Sequence, residues 1–244
     1  MDKITEYFAE ASRLLHLVST TQHEPIRQAA EAVAKTLGAG GMVFAFGTGH
    51  SHMLAEELFY RAGGLVKVYP ILDEPLMLHT NASRSSHMER LSGYAATLLE
   101  DGCDPQSGDV LFLFSNSGRN TVPVDMAVEA KKRGVTVICI TNLNHSRSVA
   151  SRHPSGKKLY EVCDIVIDNC GAIGDAAIDV GGLVCGPTST VVGAAILQSI
   201  VCGAVLRIQS AGLKPEVFSS SNVDGGDAIN EAYIQKYRSR IRML

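Results

Sequence analysis

Apolar positions recur at three- and four-residue steps over residues 3–20: Ile4, Tyr7, Phe8, Ala11, Leu14, Leu15 and Val18. That spacing predicts an amphipathic helix with one stripe turned to a core. A second helix opens near Glu24-Pro25, where proline suits an early helical position, and runs to Leu37. Gly38-Ala-Gly-Gly41 stops it. The pattern then changes. Met42-Val-Phe-Ala-Phe46 is a short apolar run, and comparable runs recur at 65–72, 109–114, 135–141 and 163–168. Short runs of this kind predict buried strands. Helices are expected between them over 52–62, closed by Gly63-Gly64, over 88–99 and over about 121–133. A long apolar helix is expected at 190–211 and a last amphipathic one ending near Arg240. Residues 73–87 have weak periodicity and read as an irregular excursion, and a long glycine-containing segment, 169–189, leads into the apolar helix.

Strands alternating with helices predict an α/β fold: a five-stranded parallel sheet, doubly wound through right-handed crossovers, with additional helices at both termini. No repeat, low-complexity tract or linker interrupts the 244 residues, so a single domain is expected. Its parts are N-terminal helices (1–38), a core (40–212) and a C-terminal loop and helix (213–244). A hydrophobic fraction of 45% against 19% charged residues favours a packed core over disorder. The formal net charge of −3 argues against nucleic acid or an anionic membrane as the main partner. Basic runs at Lys131-Lys132-Arg133 and at Lys236, Arg238, Arg240 and Arg242 read as helix ends. Cys103, Cys139, Cys163, Cys170, Cys185 and Cys202 form no C-x-x-C pair and read as reduced thiols of a cytoplasmic protein. Acids at Asp2, Glu6 and Glu10 do not match a secretion signal. The apolar stretch 191–208 is broken by Gln198, Ser199 and Arg207, so a core helix is expected there and not a membrane span.

In a doubly wound sheet, ligands bind beyond the carboxyl ends of the strands, where the winding reverses. Two strand ends carry glycine and hydroxyl turns: Gly47-Thr-Gly-His-Ser51 and Ser115-Asn-Ser-Gly-Arg-Asn-Thr121. Both open at the same edge, which is the reason to treat them as one site. In the second turn Ser115 and Ser117 offer hydroxyls, Gly118 permits close approach, and Asn120 or Thr121 caps the following helix. Hydroxyls and backbone N–H groups at a helix N-terminus accept an anion without any lysine. An ordinary cap and turn would use the same residues. In the first turn a lone G-x-G is weak evidence for a nucleotide, because His52 stands where the full motif would continue.

The S-x-S-G turn after an apolar strand, followed by a helix and the strand Val135-Thr-Val-Ile-Cys-Ile-Thr141, resembles the sugar isomerase (SIS) domain signature. The match is clear over residues 40–145, and the whole chain resembles single-domain bacterial members akin to phosphosugar and phosphoheptose isomerases. The resemblance implies a flavodoxin-like sheet and a sugar phosphate held by Ser115, Asn116, Ser117, Asn120 and Thr121, with Gly47, Thr48 and Ser51 assisting. It also implies cofactor-free aldose–ketose isomerisation through an enediol, and a dimer or tetramer with shared sites. One position departs: the family has Ser or Thr where this chain has Asn120.

Proton transfer between sugar C1 and C2 needs a carboxylate or imidazole within hydrogen-bond reach. Members of the family place a glutamate on the first core helix with a basic residue four later, a pattern that Glu57 and Arg61 match. An ordinary i,i+4 surface ion pair has the same spacing. Only one of Glu56 and Glu57 can face a site on that helix. Related isomerases carry a Glu and a ring-opening His after the second strand. Glu74 with His79 or His87 are the counterparts here, at a longer spacing, and surface-loop histidines are the plain alternative. His50 and His52 flank Ser51, but side chains two apart at a helix start rarely converge, so no metal site is expected. The polar stretch 219–227 reads as a loop and helix cap that could close a pocket. Two other activities suit the same fold. One is a lyase or etherase acting on an amino-sugar phosphate. The other is a non-catalytic sugar-phosphate sensor, although residues 1–38 lack the charge pattern of a DNA-binding helix-turn-helix.

Overall fold

The computed structural model describes residues 2–244, with Asp101 described by its backbone alone. Its centre is a parallel sheet of β1 (Val43–Gly47), β2 (Val68–Ile71), β3 (Val110–Phe114), β4 (Thr136–Thr141) and β5 (Ile165–Asp168). The five strands are ordered β2-β1-β3-β4-β5, the flavodoxin-like order, so the winding reverses between β1 and β3.

The unbroken apolar runs are explained by the two faces of this sheet. Val43, Ala45, Val110, Phe112, Phe114, Ile138 and Ile140 point into one core, and Phe44, Phe46, Leu111, Leu113, Val137 and Cys139 into the other. Alternate residues of each strand thus meet different helical layers, and both must be apolar. The first core is closed by α1 (Lys3–Thr21), α2 (His23–Gly38), α3 (His52–Leu58) and α8 (Ser189–Ser210). The second is closed by α5 (Tyr94–Leu98), α6 (Thr121–Lys132) and α9 (Gly226–Tyr237). α8 is long and apolar enough to cross a bilayer by length and composition. Here it packs across the sheet through Val192, Ile196, Ile200 and Ala204. Close approach is made by glycine: a Cβ on Gly193 would sit 2.7 Å from Leu54 of α3, and one on Gly203 would sit 3.0 Å from Ala30 of α2.

Several connections differ from the sequence pattern. The helix expected over 52–62 ends at Leu58, with Phe59 extended and Tyr60 at φ 42°. The cause lies far away in sequence. Residues 63–66 exchange hydrogen bonds with 216–218, and Tyr60 packs edge-on against Phe218. That tertiary pairing overrides helix propensity. Of the helix expected over 88–99 only α5 forms, starting after Gly93 at φ 80°. α4 (Ala82–Met88) lies instead in the stretch 73–87, expected to be irregular, and is capped by the Asn81 side chain. The glycine-containing segment 169–189 holds strands that the sequence pattern does not predict. It contains a hairpin of β6 (Ala176–Val180) and β7 (Leu183–Pro187), turned at Gly181-Gly182. A further helix, α7 (Leu143–Ser148), begins at an Asn142 cap whose side chain accepts from the His145 N–H.

At the amino edge of the sheet Asp109 is buried, and its two carboxylate oxygens accept from the N–H groups of Met42 and Gln106 at 2.8 Å each. It ties the entry of β1 to that of β3. Asp109→Asn would turn an amide N–H toward one of these donors. A loss of about 1–3 kcal/mol is expected, read as a lower urea midpoint with an unchanged slope.

Candidate functional site

The carboxyl ends of β1 and β3 face each other across the reversal point. β1 ends at Gly47, where a Cβ would lie 2.5 Å from the Ser51 carbonyl oxygen. Only glycine lets the chain fold back so tightly into the short 3-10 turn Gly49–Ser51 that leads to α3. β3 ends in the loop 115–120, and α6 begins at Thr121. Gly118 holds φ 57°, and a Cβ there would stand 3.1 Å from Ser146 Oγ and 3.3 Å from Thr141 Oγ1. The loop is pinned from below. Thr141 Oγ1 donates to the Ser115 carbonyl at 2.7 Å, Asn142 N–H to the Asn116 carbonyl at 3.0 Å, and Gly118 N–H to Ser115 Oγ at 3.2 Å.

What remains on the loop is a set of donors. Among the described residues, the N–H groups of Asn116, Ser117, Arg119, Asn120 and Thr121 find no acceptor, while Val122 donates to the Glu89 carbonyl at 3.0 Å. Asn120 occupies the N-cap position of α6 but does not cap it. Its Oδ1 accepts instead from Arg152 Nη1 at 2.8 Å. Unpaired N–H groups at the start of a helix three turns long form an anion-accepting concavity.

On the α8 side of this loop lies a cavity of about 120 Å³ whose lining includes His50, Ser51, Leu54, Ser115, Asn116 and Asp175. Asn116 Oδ1 accepts from Asn169 Nδ2 at 2.8 Å, which turns the amide toward the cavity wall. Asp175 closes the end opposite the loop. Its carboxylate accepts from the Thr188 and Ser189 N–H groups at 3.2 and 2.9 Å and from Ser189 Oγ, capping α8. Thr188 Oγ1 is buried with no partner among the described residues.

Ser51, Ser115 and Asn116 therefore meet at one cavity, with Gly47, Thr48, Ser117, Asn120 and Thr121 on the turns that frame it. Thr48 is buried, and its hydroxyl donates to Glu89 Oε2 at 2.8 Å. The acid–base candidates are placed differently. Glu57 faces α8, where its carboxylate accepts from Gln198 Nε2 at 2.9 Å and pairs with Arg61. It does not line the cavity. Glu74 is exposed on a short 3-10 turn. His79 is exposed, with its ring 6.3 Å from that of buried His52. His87 is exposed on α4, its Nδ1 2.7 Å from the Ser83 carbonyl. His50 opens on the cavity whereas His52 turns its Nδ1 to the Gly49 carbonyl, so the two rings do not converge. Residues 219–227 lie by α9, where Asn230 holds Ser219, outside the cavity.

Sequence reasoning missed Asn169, Asp175, Ser189 and Thr190 on the cavity wall. A signal for Asp175 existed in the tripeptide Ile173-Gly-Asp175, a turn composition, but its tie to α8 spans 14 residues. A larger cavity, about 370 Å³, opens beside edge strand β2, away from the β1–β3 reversal. Burial pushes the phenol of Tyr94 and the thiol of Cys103 each up to about 12, and burial also raises Asp73. Its lining includes none of the 115–121 loop with its unpaired N–H groups, so the smaller cavity at the β1–β3 reversal fits an anionic ligand better.

The fold and this site define a doubly wound α/β protein with an anion-accepting loop at its reversal point. The family model for the SIS domain matches residues 6–142. A UPF0309 protein of Halalkalibacterium halodurans is 47% identical over 243 residues, covering 99% of this chain and 97% of that one. The chain belongs to the SIS domain family. Among solved structures, a phosphoheptose isomerase from Francisella tularensis aligns with a TM-score of 0.54 at 18% identity, covering 82% of this chain and 96% of its own. The Vibrio vulnificus NanR protein complexed with ManNAc-6P aligns with a TM-score of 0.52 at 19% identity, covering 96% and 70%. At these identities the structural likeness is one of fold.

Gly118→Ala tests the tight packing of the loop. Against Gly40→Ala, which also starts from positive φ (87°) but has open space around it, Gly118→Ala is expected to lose more stability. About 1–2 kcal/mol of left-handed strain is common to both, and the extra loss reports the contact with Ser146. Urea denaturation of the two variants measures the difference.

Proposed function

We propose that the protein binds a phosphorylated sugar at the ends of β1 and β3 and interconverts its aldose and ketose forms without a cofactor. The observation that carries the binding half is the set of unpaired N–H groups of Asn116, Ser117, Arg119, Asn120 and Thr121 beside the hydroxyls of Ser115 and Ser117. A phosphate there meets oriented donors that need no reorganisation, and the sugar extends past Ser51 into the cavity. The family and the phosphoheptose isomerase fold support the same ligand class.

In the isomerase scheme Glu57 moves the proton through an enediol and His79 or His87 opens the ring. Glu74 stands at the start of the same excursion as a supporting carboxylate. To act, Glu57 must exchange its contacts with Gln198 and Arg61 for the substrate. That requirement gives weight to a second reading, a sugar-phosphate sensor. Asp175, the carboxylate that lines the cavity, is committed to capping α8, and the NanR protein, which is similar in fold, is complexed with ManNAc-6P.

A self-associating protein is part of the proposal. Ile4 and Phe8 on α1 are 74% and 68% exposed, and Leu183 and Val184 on the hairpin are 76% and 58% exposed. Tyr7 links the two elements by donating to the Pro187 carbonyl at 2.8 Å. An apolar face of this kind favours burial against a second copy. Light scattering is expected to give a dimer or tetramer, and Phe8→Glu with Leu183→Glu is expected to give a monomer.

The chemistry is tested by thermal-shift screening of sugar phosphates, followed by NMR of the best ligand in deuterated water. Deuterium entering at C1 or C2, and lost in Glu57→Gln, is the isomerase result. Binding without exchange is the sensor result. Stabilisation by free sugars alone would overturn the phosphate assignment.

A further inference from the structure

Four arginines are neutralised by acids: Arg13 by Glu10, Arg27 by Glu24 and Glu31, Arg61 by Glu57, and Arg133 by Asp104. Arg90, Arg119 and Arg152 are not, and they stand close enough for their charges to act on one another. Among the described residues none of them has an ion-pair partner. They are also brought together. Arg152 N–H donates to the Arg119 carbonyl at 2.9 Å, and the Arg152 guanidinium reaches over the start of α6 to Asn120 Oδ1. The chain at Glu89-Arg90 is fixed to the same helix start by the bond from Val122 N–H to the Glu89 carbonyl.

The acids nearby are engaged elsewhere. Glu89 accepts from Thr48, and Asp125 is held by His153 Nε2 at 2.7 Å and Gly93 N–H at 3.0 Å. Arg119 Nε is buried with no acceptor among the described residues. Partial desolvation, and then the charges of Arg119 and Arg90, lower the pKa of Arg152, with Glu89 acting in the opposite sense. Unpaired like charges held together are unfavourable until an anion joins them. A buried guanidinium N–H without a partner points the same way.

We infer that Arg152, oriented by Asn120, and Arg119 bind the anionic group that the loop 116–121 receives, making this a site for a doubly charged phosphate ester. This inference rests on the sugar-phosphate reading and deepens it. It also gives a role to the departure at position 120. The hydroxyl that would add one more neutral donor is replaced by an amide oxygen, and the amide oxygen places a guanidinium at the mouth of the loop. Planar guanidinium groups match phosphate oxygens in pairs, which hydroxyls do not. A monoanionic sugar acid or a neutral sugar would leave the cluster under-compensated.

The test is calorimetric titration of the full chain with the sugar phosphate that gives the largest thermal shift, with inorganic phosphate, and with the matching free sugar. Wild type, Arg152→Gln, Arg119→Gln and Arg152→Lys are compared at low and high ionic strength. Arg152→Gln is expected to raise Kd at least about 10-fold for the phosphate ester and for inorganic phosphate, and to flatten the salt dependence. Arg152→Lys should recover part of the affinity, because charge returns without the paired geometry. Arg119→Gln should behave like Arg152→Gln. Melting temperatures of the variants report folding separately. If wild type binds phosphate esters and Arg152→Gln binds them within twofold at either salt level, the inference falls and the sugar-phosphate reading stands. If inorganic phosphate binds in an arginine-dependent way but no sugar phosphate does, the inference stands and the sugar reading falls. If wild type binds neither, both fall.

Discussion

The pairing of β1 with β3 is the constraint on which the rest of this structure depends. Because β2 is placed outside β1, the chain crosses one face of the sheet on one side of β1 and the other face beyond it. The two loops that leave β1 and β3 therefore diverge and open a crevice between them. Everything that reads as a site lies along this line: Thr48 and Ser51 on one bank, Ser115 to Thr121 on the other. The register Val43↔Val110 through Gly47↔Phe114 brings both banks to the same height. A slip of one residue would turn Phe112 and Phe114 out of their core, so the cores that stabilise the sheet also set the crevice.

How far this was legible in the sequence follows from the range of the interactions involved. The buried strands and the turn at 115–121 depend on local composition, and both appear where the apolar runs and the S-x-S-G turn place them. Elements that depend on distant partners were not legible. α3 stops at Leu58 because residues 216–218 hold the chain beyond it in an extended form. The hairpin β6–β7 has exposed strands with little alternation, and its one local mark was Gly181-Gly182, a pair suited to a tight turn. α7 has no apolar stripe and is defined by the Asn142 cap and by Lys158 bonded to the Ser146 carbonyl. Asp175 and Arg152 enter the site region from 14 and 32 residues away respectively, through contacts that no spacing rule encodes.

Charge at the crevice is distributed in the same way. The cavity is lined by hydroxyls, amides, His50, the capped Asp175 carboxylate and the apolar Leu54, Phe114 and Ile140, with no lysine or arginine. The far side of the 115–121 loop, toward α4 and α6, carries the unpaired arginines. Asn120 stands at the divide. By declining to cap α6 it leaves that helix end open, and by accepting from Arg152 it brings a cation to it. A chain with a net charge of −3 thus has a local positive site without basic composition overall.

Binding and catalysis have different structural costs in such a fold. The anion loop needs only a strand end, a glycine at positive φ and the start of a helix, all secured by the sheet itself. An acid–base pair must stand within hydrogen-bond reach of particular carbon and oxygen atoms, and here its candidates sit on α3 and on the excursion after β2. Those segments are held by side-chain contacts: Glu57 by Gln198 and Arg61, His79 by His52. Changes confined to them would leave the 115–121 loop undisturbed. Isomerases and non-catalytic binders can therefore share one scaffold, and the ligand class is the more durable property of this architecture.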